Sequence, residues 1–159
     1  MSNLKGPFRA TIDASLKGLR ELVQVLHEEQ TVLTSKDAEA LENVVQRKVE
    51  LLKDLEHSVL AREQILKQAD CGSGLQGSEA FIREHFSPDD IVDDWKQLVS
   101  LSKQVDELNI QNGKLALAGE RSTRQALGIL TGRSQEPETY SKKRYPSDNP
   151  GSGSSLGKC

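Results

Sequence analysis

Apolar residues recur along most of this chain at steps of three and four, the spacing that puts them on one face of a helix. From Phe8 to Leu33 the series Ile12, Leu16, Leu19, Val23, Leu26 and Leu33 alternates steps of four and three, with Gln30 its one polar member. That period of about 3.5 is the knobs-into-holes spacing of packed helices. Leu22 and Val25 widen the stripe, as a helix contacting more than one neighbour requires. Thr34 to Asp37 interrupts the pattern, and Ser35 is the expected cap of the next helix, with Asp37 and Glu39 in its first turn. The second helix is predicted to run to about Gln68, with a seam of Leu41, Val45, Lys48, Leu52, Leu55, Val59, Arg62 and Leu66. Val44, Leu51 and Ile65 broaden it. The short connection makes these two helices antiparallel neighbours. Lys48 and Arg62 fall on the seam, where either their stems pack while their heads reach solvent, or they form buried ion pairs.

Asp70 to Gly77 reads as a loop, and Glu79 to Phe86 as a short helix whose Phe81, Ile82 and Phe86 plug one end of a bundle. Ser87-Pro88-Asp89-Asp90 is the clearest helix start: a cap residue, a proline for the first helical position, then acids for the dipole. The helix carries Ile91, Trp95, Leu98, Leu101, Val105 and Leu108 and is predicted to reach about Thr131, roughly 60 Å away. Its second half, Leu108 to Gly132, organises the reading. Leu108, Leu115, Ala126 and Ile129 continue the stripe, while Asn112, Gly119 and Ser122 stand where large apolar residues would complete it. A stripe without its large side chains lets a neighbouring helix come close or leaves a groove for a partner. Gly113 and Gly119 weaken this half by up to about 1 kcal/mol each. The pattern therefore predicts an all-α fold. It is an elongated antiparallel bundle or coiled-coil hairpin with a long C-terminal helix, the helical domain covering residues 1–131. Residues 132–159, rich in Ser, Gly, Pro and Lys, are predicted to be a disordered tail.

Composition sharpens this picture. Across 159 residues the apolar share is 35% and the aromatic share 4%, too little for a thick multilayer core. The 28% of charged residues suits long exposed helix faces. Cys71 and Cys159 make no disulfide framework, so a reducing cytosol is expected. No apolar run suggests a signal peptide or a membrane span. The net charge of −3 conceals an asymmetry. Residues 1–112 hold 13 Lys+Arg against 20 Asp+Glu, net −7, and residues 113–159 hold 8 against 4, net +4. The basic residues are dispersed and lack an aromatic platform, which argues against nucleic acid as the partner.

Sites for chemistry are missing from the pattern. His27, His57 and His85 are far apart, and neither HExxH nor a Glu-x-x-His pair occurs. Asp89, Asp90, Asp93 and Asp94 suit a helix N-terminus and a solvated face better than a magnesium site. Gly72-Ser73-Gly74 lacks the lysine of a phosphate loop, and Cys71 is a free thiol. The expectation is a binding protein without enzymatic activity, cofactor or metal.

The order Asn109-Ile110-Gln111-Asn112-Gly113-Lys114-Leu115, then Ala126-Leu127-Gly128-Ile129-Leu130, Gly132 and Thr139-Tyr140 resembles the FlgN-type flagellar export chaperones. Leu41 and Lys48-Val49-Glu50-Leu51-Leu52 fit the same arrangement, and the resemblance extends to Tyr140. Beyond it GSGSSLGKC matches no motif. The resemblance implies a cytoplasmic chaperone without ATPase activity. It would hold hook-associated (hook–filament junction) proteins and bring them to an export gate of the FlhA type. The client surface is expected at Leu115, Leu117, Leu127, Ile129 and Leu130, although the same side chains would also serve to pack on the first two helices. The resemblance further implies gate docking by Tyr140, with Lys142, Lys143 and Arg144 adding electrostatic attraction. A structural coiled-coil adaptor remains the alternative, because a heptad seam is satisfied by a partner from the same chain or from another.

Overall fold

The computed structural model describes the backbone over residues 3–130 and the side chains over 3–88, 90–121 and 125. Four helices and no strand occupy that range: α1 (Lys5–Ser35), α2 (Ala38–Gln68), α3 (Gly74–His85) and α4 (Pro88–Leu130). The contacts fall into two compact units, residues 1–119 and 120–159, and all the packing that follows belongs to the first.

α1 and α2 form the expected antiparallel hairpin, but the turn is built differently from the sequence reading. Ser35 caps nothing. Its hydroxyl donates back to the Val32 carbonyl at 2.9 Å, completing α1. Lys36 takes the left-handed conformation at φ 59°, closing the helix with its N–H on the same carbonyl. Asp37 is then the cap of α2 and accepts from the Ala40 N–H at 3.1 Å. An aspartate directly before the first helical residue outcompetes a serine two positions earlier, because only Asp37 can reach the orphan donors of that turn. Close approach of the two helices is allowed at Gly18, where a Cβ would lie 2.8 Å from Leu55 Cδ2.

Cross-helix pairs fix the directions. Ser15 bonds Ser58 at 2.9 Å, and Glu28 and Glu29 meet Arg47 and Lys48, so α1 and α2 run oppositely. Arg9 meets Asp94, and Leu26 and Glu29 meet Asn112, so α1 and α4 run in parallel. α4 is continuous through Asn112 and Gly113.

One bundle end is plugged by aromatics, as the sequence predicts. Phe8 stacks on Phe81 with ring centroids 4.4 Å apart, and Phe86 completes the cluster at 5.9 Å from Phe8. Ile12, Leu66, Ile91 and Trp95 continue the core inward. The short helix begins at Gly74 rather than Glu79, taking in half of the predicted loop. Gly77 permits that, since a Cβ there would collide with the Gly72 carbonyl carbon at 2.6 Å.

Candidate functional site

A polar layer crosses the bundle where α1, α2 and α4 meet. Glu29 is 5% exposed. The Lys48 ammonium stands 3.3 Å from its Oε1 and also donates to Asn109 Oδ1 at 2.7 Å. Asn112, 2% exposed, donates through Nδ2 to the Leu26 carbonyl at 2.8 Å and to Glu29 Oε1 at 2.9 Å. The Asn112 Oδ1 is buried without a hydrogen-bond partner among the described residues. For Lys48 the structure selects the ion pair over the solvent-reaching head. A carboxylate held by an ammonium and an amide tolerates burial, and the layer locks the three helices in one register. Asn109 and Asn112 are thus the α4 side of a three-helix lock.

Beside this layer lies an open groove of about 290 Å³. Leu19, Leu22 and Leu26 of α1 form its floor, Leu52 and Leu55 of α2 one wall, and Val105 and Asp106 of α4 the other. The α2 wall corrects the predicted seam. Val45, Leu52 and Val59 keep 40%, 45% and 40% of their surface exposed, and Val49 and Leu60 are exposed as well. The buried face of α2 is instead Val44, Ser58, Arg62, Ile65 and Leu66, with Lys48, Leu51 and Leu55 half-buried beside it. α2 carries two apolar stripes about a quarter-turn apart, and α1 is only wide enough to cover one.

Of the predicted client residues, Leu115 is half-buried and Leu117 is 55% exposed. Two positions apart on a helix they point to different sides, and Leu117 shares its face with exposed Ile110, seven residues before it. The side chains of Leu127, Ile129 and Leu130 lie outside the described residues, and so do Tyr140, Lys142, Lys143 and Arg144. Sequence reasoning missed Val45, Val49, Leu52 and Val59 as accessible surface. The signal was there in the surplus of apolar positions on α2.

The remaining candidates for chemistry find ordinary partners or none. Asp94 pairs with Arg9 at 2.8 Å, tying α4 to α1. His27 and His57 are exposed, and the His85 ring lies tilted against Phe81, with centroids 4.3 Å apart. The ligand atoms of Cys71, Glu84 and His85 come within 4.8 Å of one another. Cys71 Sγ already donates to Glu84 Oε2 at 3.5 Å, and both Glu84 and His85 are exposed. Burial first, and then the hydrogen bond and charge of Glu84, push the Cys71 thiol above its ordinary pKa, the opposite of an activated nucleophile. No helix among the described residues is long and apolar enough to cross a membrane.

Residues 7–146 match the family model described as FlgN protein. No curated protein and no solved structure matches the chain.

Proposed function

The chain belongs to the FlgN family of flagellar export chaperones, and on that premise we propose that it holds hook-associated proteins in the cytosol and presents them to an FlhA-type export gate. The family match over 7–146 carries this reading, because it takes in the unfilled stripe, the end of α4 and Tyr140 together. The exposed Ile110 and Leu117 support it, since a helix surface with free aliphatic side chains suits an amphipathic client segment. Holding such a segment needs no chemistry. Covering its apolar face keeps it from aggregating, and release follows when the gate or assembly partners compete for it. Leu115, Leu117, Leu127, Ile129 and Leu130 form the client contacts in this proposal, and Tyr140 with Lys142, Lys143 and Arg144 the gate contacts.

Co-purification of the full chain from a flagellated host tests the reading. Hook-associated proteins are expected in the complex, and Leu127→Asp with Leu130→Asp is expected to remove them while helicity and Tm stay within a few degrees of the parent. Retained capture takes this segment out of the client site. A stable homodimer that captures no flagellar protein supports the coiled-coil adaptor instead.

A further inference from the structure

The turn that closes α2 meets the last turn of α3 at the plugged end of the bundle, and three different metal-ligand types converge there. Asp70 takes the left-handed conformation at φ 55°, and the Cys71 N–H returns to the Leu66 carbonyl at 3.1 Å. That closure holds the Cys71 backbone against the helix it leaves. α3 packs on the same stretch: a Cβ at Gly77 would lie 3.3 Å from the Cys71 carbonyl oxygen. Cys71 is half-buried against the core, so its position is set from both sides. Glu84 and His85 supply the other two groups. The His85 ring lies against Phe81, which is fully buried and stacked on Phe8, so the imidazole has a firm backing. The Glu84 and His85 side chains keep 62% and 42% of their surface exposed, which leaves their outer atoms room to adjust.

These atoms already stand near the spacing that a small ion needs. Cys71 Sγ is 3.5 Å from Glu84 Oε2, and His85 Nε2 is 3.9 Å from that same oxygen. The ligand atoms of all three residues lie within 4.8 Å of one another. A tetrahedral zinc ion with bonds of about 2.0–2.3 Å sets neighbouring ligand atoms roughly 3.3–3.7 Å apart. The sulfur–carboxylate edge has that length, and small rotations of the two exposed side chains close the others. The hydrogen bonds that Cys71 Sγ donates, to Glu84 and at 3.6 Å to the Ala69 carbonyl, are weak sulfur contacts that coordination replaces. Charge favours a cation as well. Neither Glu84 nor Asp70 forms an ion pair with a lysine or arginine among the described residues, and the charges of both reach the Cys71 sulfur. We propose that Cys71, Glu84 and His85 form a three-ligand site for one zinc ion, with water in the fourth position. Sulfur and imidazole together select zinc over magnesium, calcium or manganese, which favour oxygen ligands. On binding, the thiol proton passes to solvent as the sulfur–zinc bond forms, with no change of oxidation state. The ion ties the turn after α2 to the end of α3 and so clamps the aromatic plug. This end of α1 is the one opposite the polar layer, and the inference is independent of the chaperone reading.

The test uses the full, untagged chain carrying Cys159→Ser, stripped of metal, with Zn²⁺ followed by calorimetry and Co²⁺ as the spectroscopic probe. One ion per chain is expected to bind. Co²⁺ should give a thiolate charge-transfer band in the near ultraviolet and visible bands of tetrahedral intensity, all removed by added Zn²⁺. Zn²⁺ should raise Tm by several degrees, reversibly on adding EDTA, because it binds the folded chain and not the unfolded one. It should also slow alkylation of Cys71 at least tenfold. Cys71→Ser is expected to abolish the charge-transfer band. Glu84→Gln and His85→Phe are each expected to weaken Zn²⁺ binding at least tenfold. His85→Phe removes the ligand nitrogen and keeps a ring against Phe81, and unchanged helicity and metal-free Tm verify that the fold is intact. Zn²⁺ affinity in the parent no tighter than in Cys71→Ser overturns the site. Affinity unchanged in both Glu84→Gln and His85→Phe assigns the ion to a lone thiol and overturns it too, as does a stoichiometry of one ion per two chains.

Discussion

Single residues of similar chemistry meet different fates here, decided by what stands opposite them. Lys48 and Arg62 both fall on the sequence seam. Lys48 finds a carboxylate, whereas Arg62, 8% exposed, lies over the Trp95 ring at 5.8 Å and reaches Ser15 Oγ at 3.4 Å. Burial pulls its pKa below the ordinary guanidinium value, yet a guanidinium stays charged at neutral pH, and a delocalised cation over an indole face is among the least costly ways to bury one. No carboxylate comes within ion-pair distance of it among the described residues, and the charge of neighbouring Glu63 offsets only part of the effect of burial. Cys71 offers a direct test of local electrostatics. Its thiol pKa is raised by burial and then by Glu84, which lowers the thiolate fraction at any pH below that value. In a Cys159→Ser background, Glu84→Gln is therefore expected to speed alkylation of Cys71 at pH 8 by a few-fold. An unchanged or slower rate means that burial alone sets the reactivity.

Helices, their order and the aromatic plug were legible because periodicity and the Ser-Pro-Asp-Asp start are local signals. The face that α2 buries was not. The heptad series through Val45, Leu52 and Val59 and the one through Val44, Ser58 and Ile65 share Lys48, Leu55 and Arg62, so step counting cannot choose between them. The choice is tertiary: pairing of Ser58 with Ser15 turns one series inward and leaves the other as a groove wall. Asn112 was legible only as a gap in a stripe. Its role as a donor appears once Leu26 and Glu29 are seen opposite it. The layer's coupling is measurable. Lys48→Met leaves the Glu29 carboxylate, 7% exposed at its side chain, with Asn112 as its remaining hydrogen-bond donor. That should cost about 2 kcal/mol in urea unfolding, below the value for a fully buried pair because Lys48 keeps 20% of its side-chain exposure. Glu29→Gln with Lys48→Met should cost clearly less than the two single changes added together. Simple additivity would mean that the layer does not act as a unit.

Across the whole molecule, charge is unevenly distributed. Residues 1–112 carry net −7 and residues 113–159 net +4, so the part that builds the groove and the part that holds Tyr140 differ in sign. On the proposed function, a negatively charged gate surface would be attracted by the second and repelled by the first, which would separate gate docking from client holding electrostatically. Tyr140 precedes Lys142, Lys143 and Arg144, an aromatic ring beside three cations. In the proposed docking the ring fills an apolar pocket on the gate, its hydroxyl bonds at the rim, and the cations raise the association rate. Tyr145 is the competing anchor, with Pro146 restricting the backbone directly behind it. Two assays on Tyr140→Ala decide the matter. Binding to the purified cytosolic domain of the gate should fall at least tenfold and motility with it, while affinity for a hook-associated protein stays within twofold of the parent. A salt titration of the parent chain should weaken gate binding further, and Lys142→Ala with Lys143→Ala should flatten that dependence. Gate binding that survives Tyr140→Ala but falls in Tyr145→Ala moves the anchor five residues on. Loss of client affinity in Tyr140→Ala means that one segment serves both contacts, and the proposed division between client holding and gate docking is wrong.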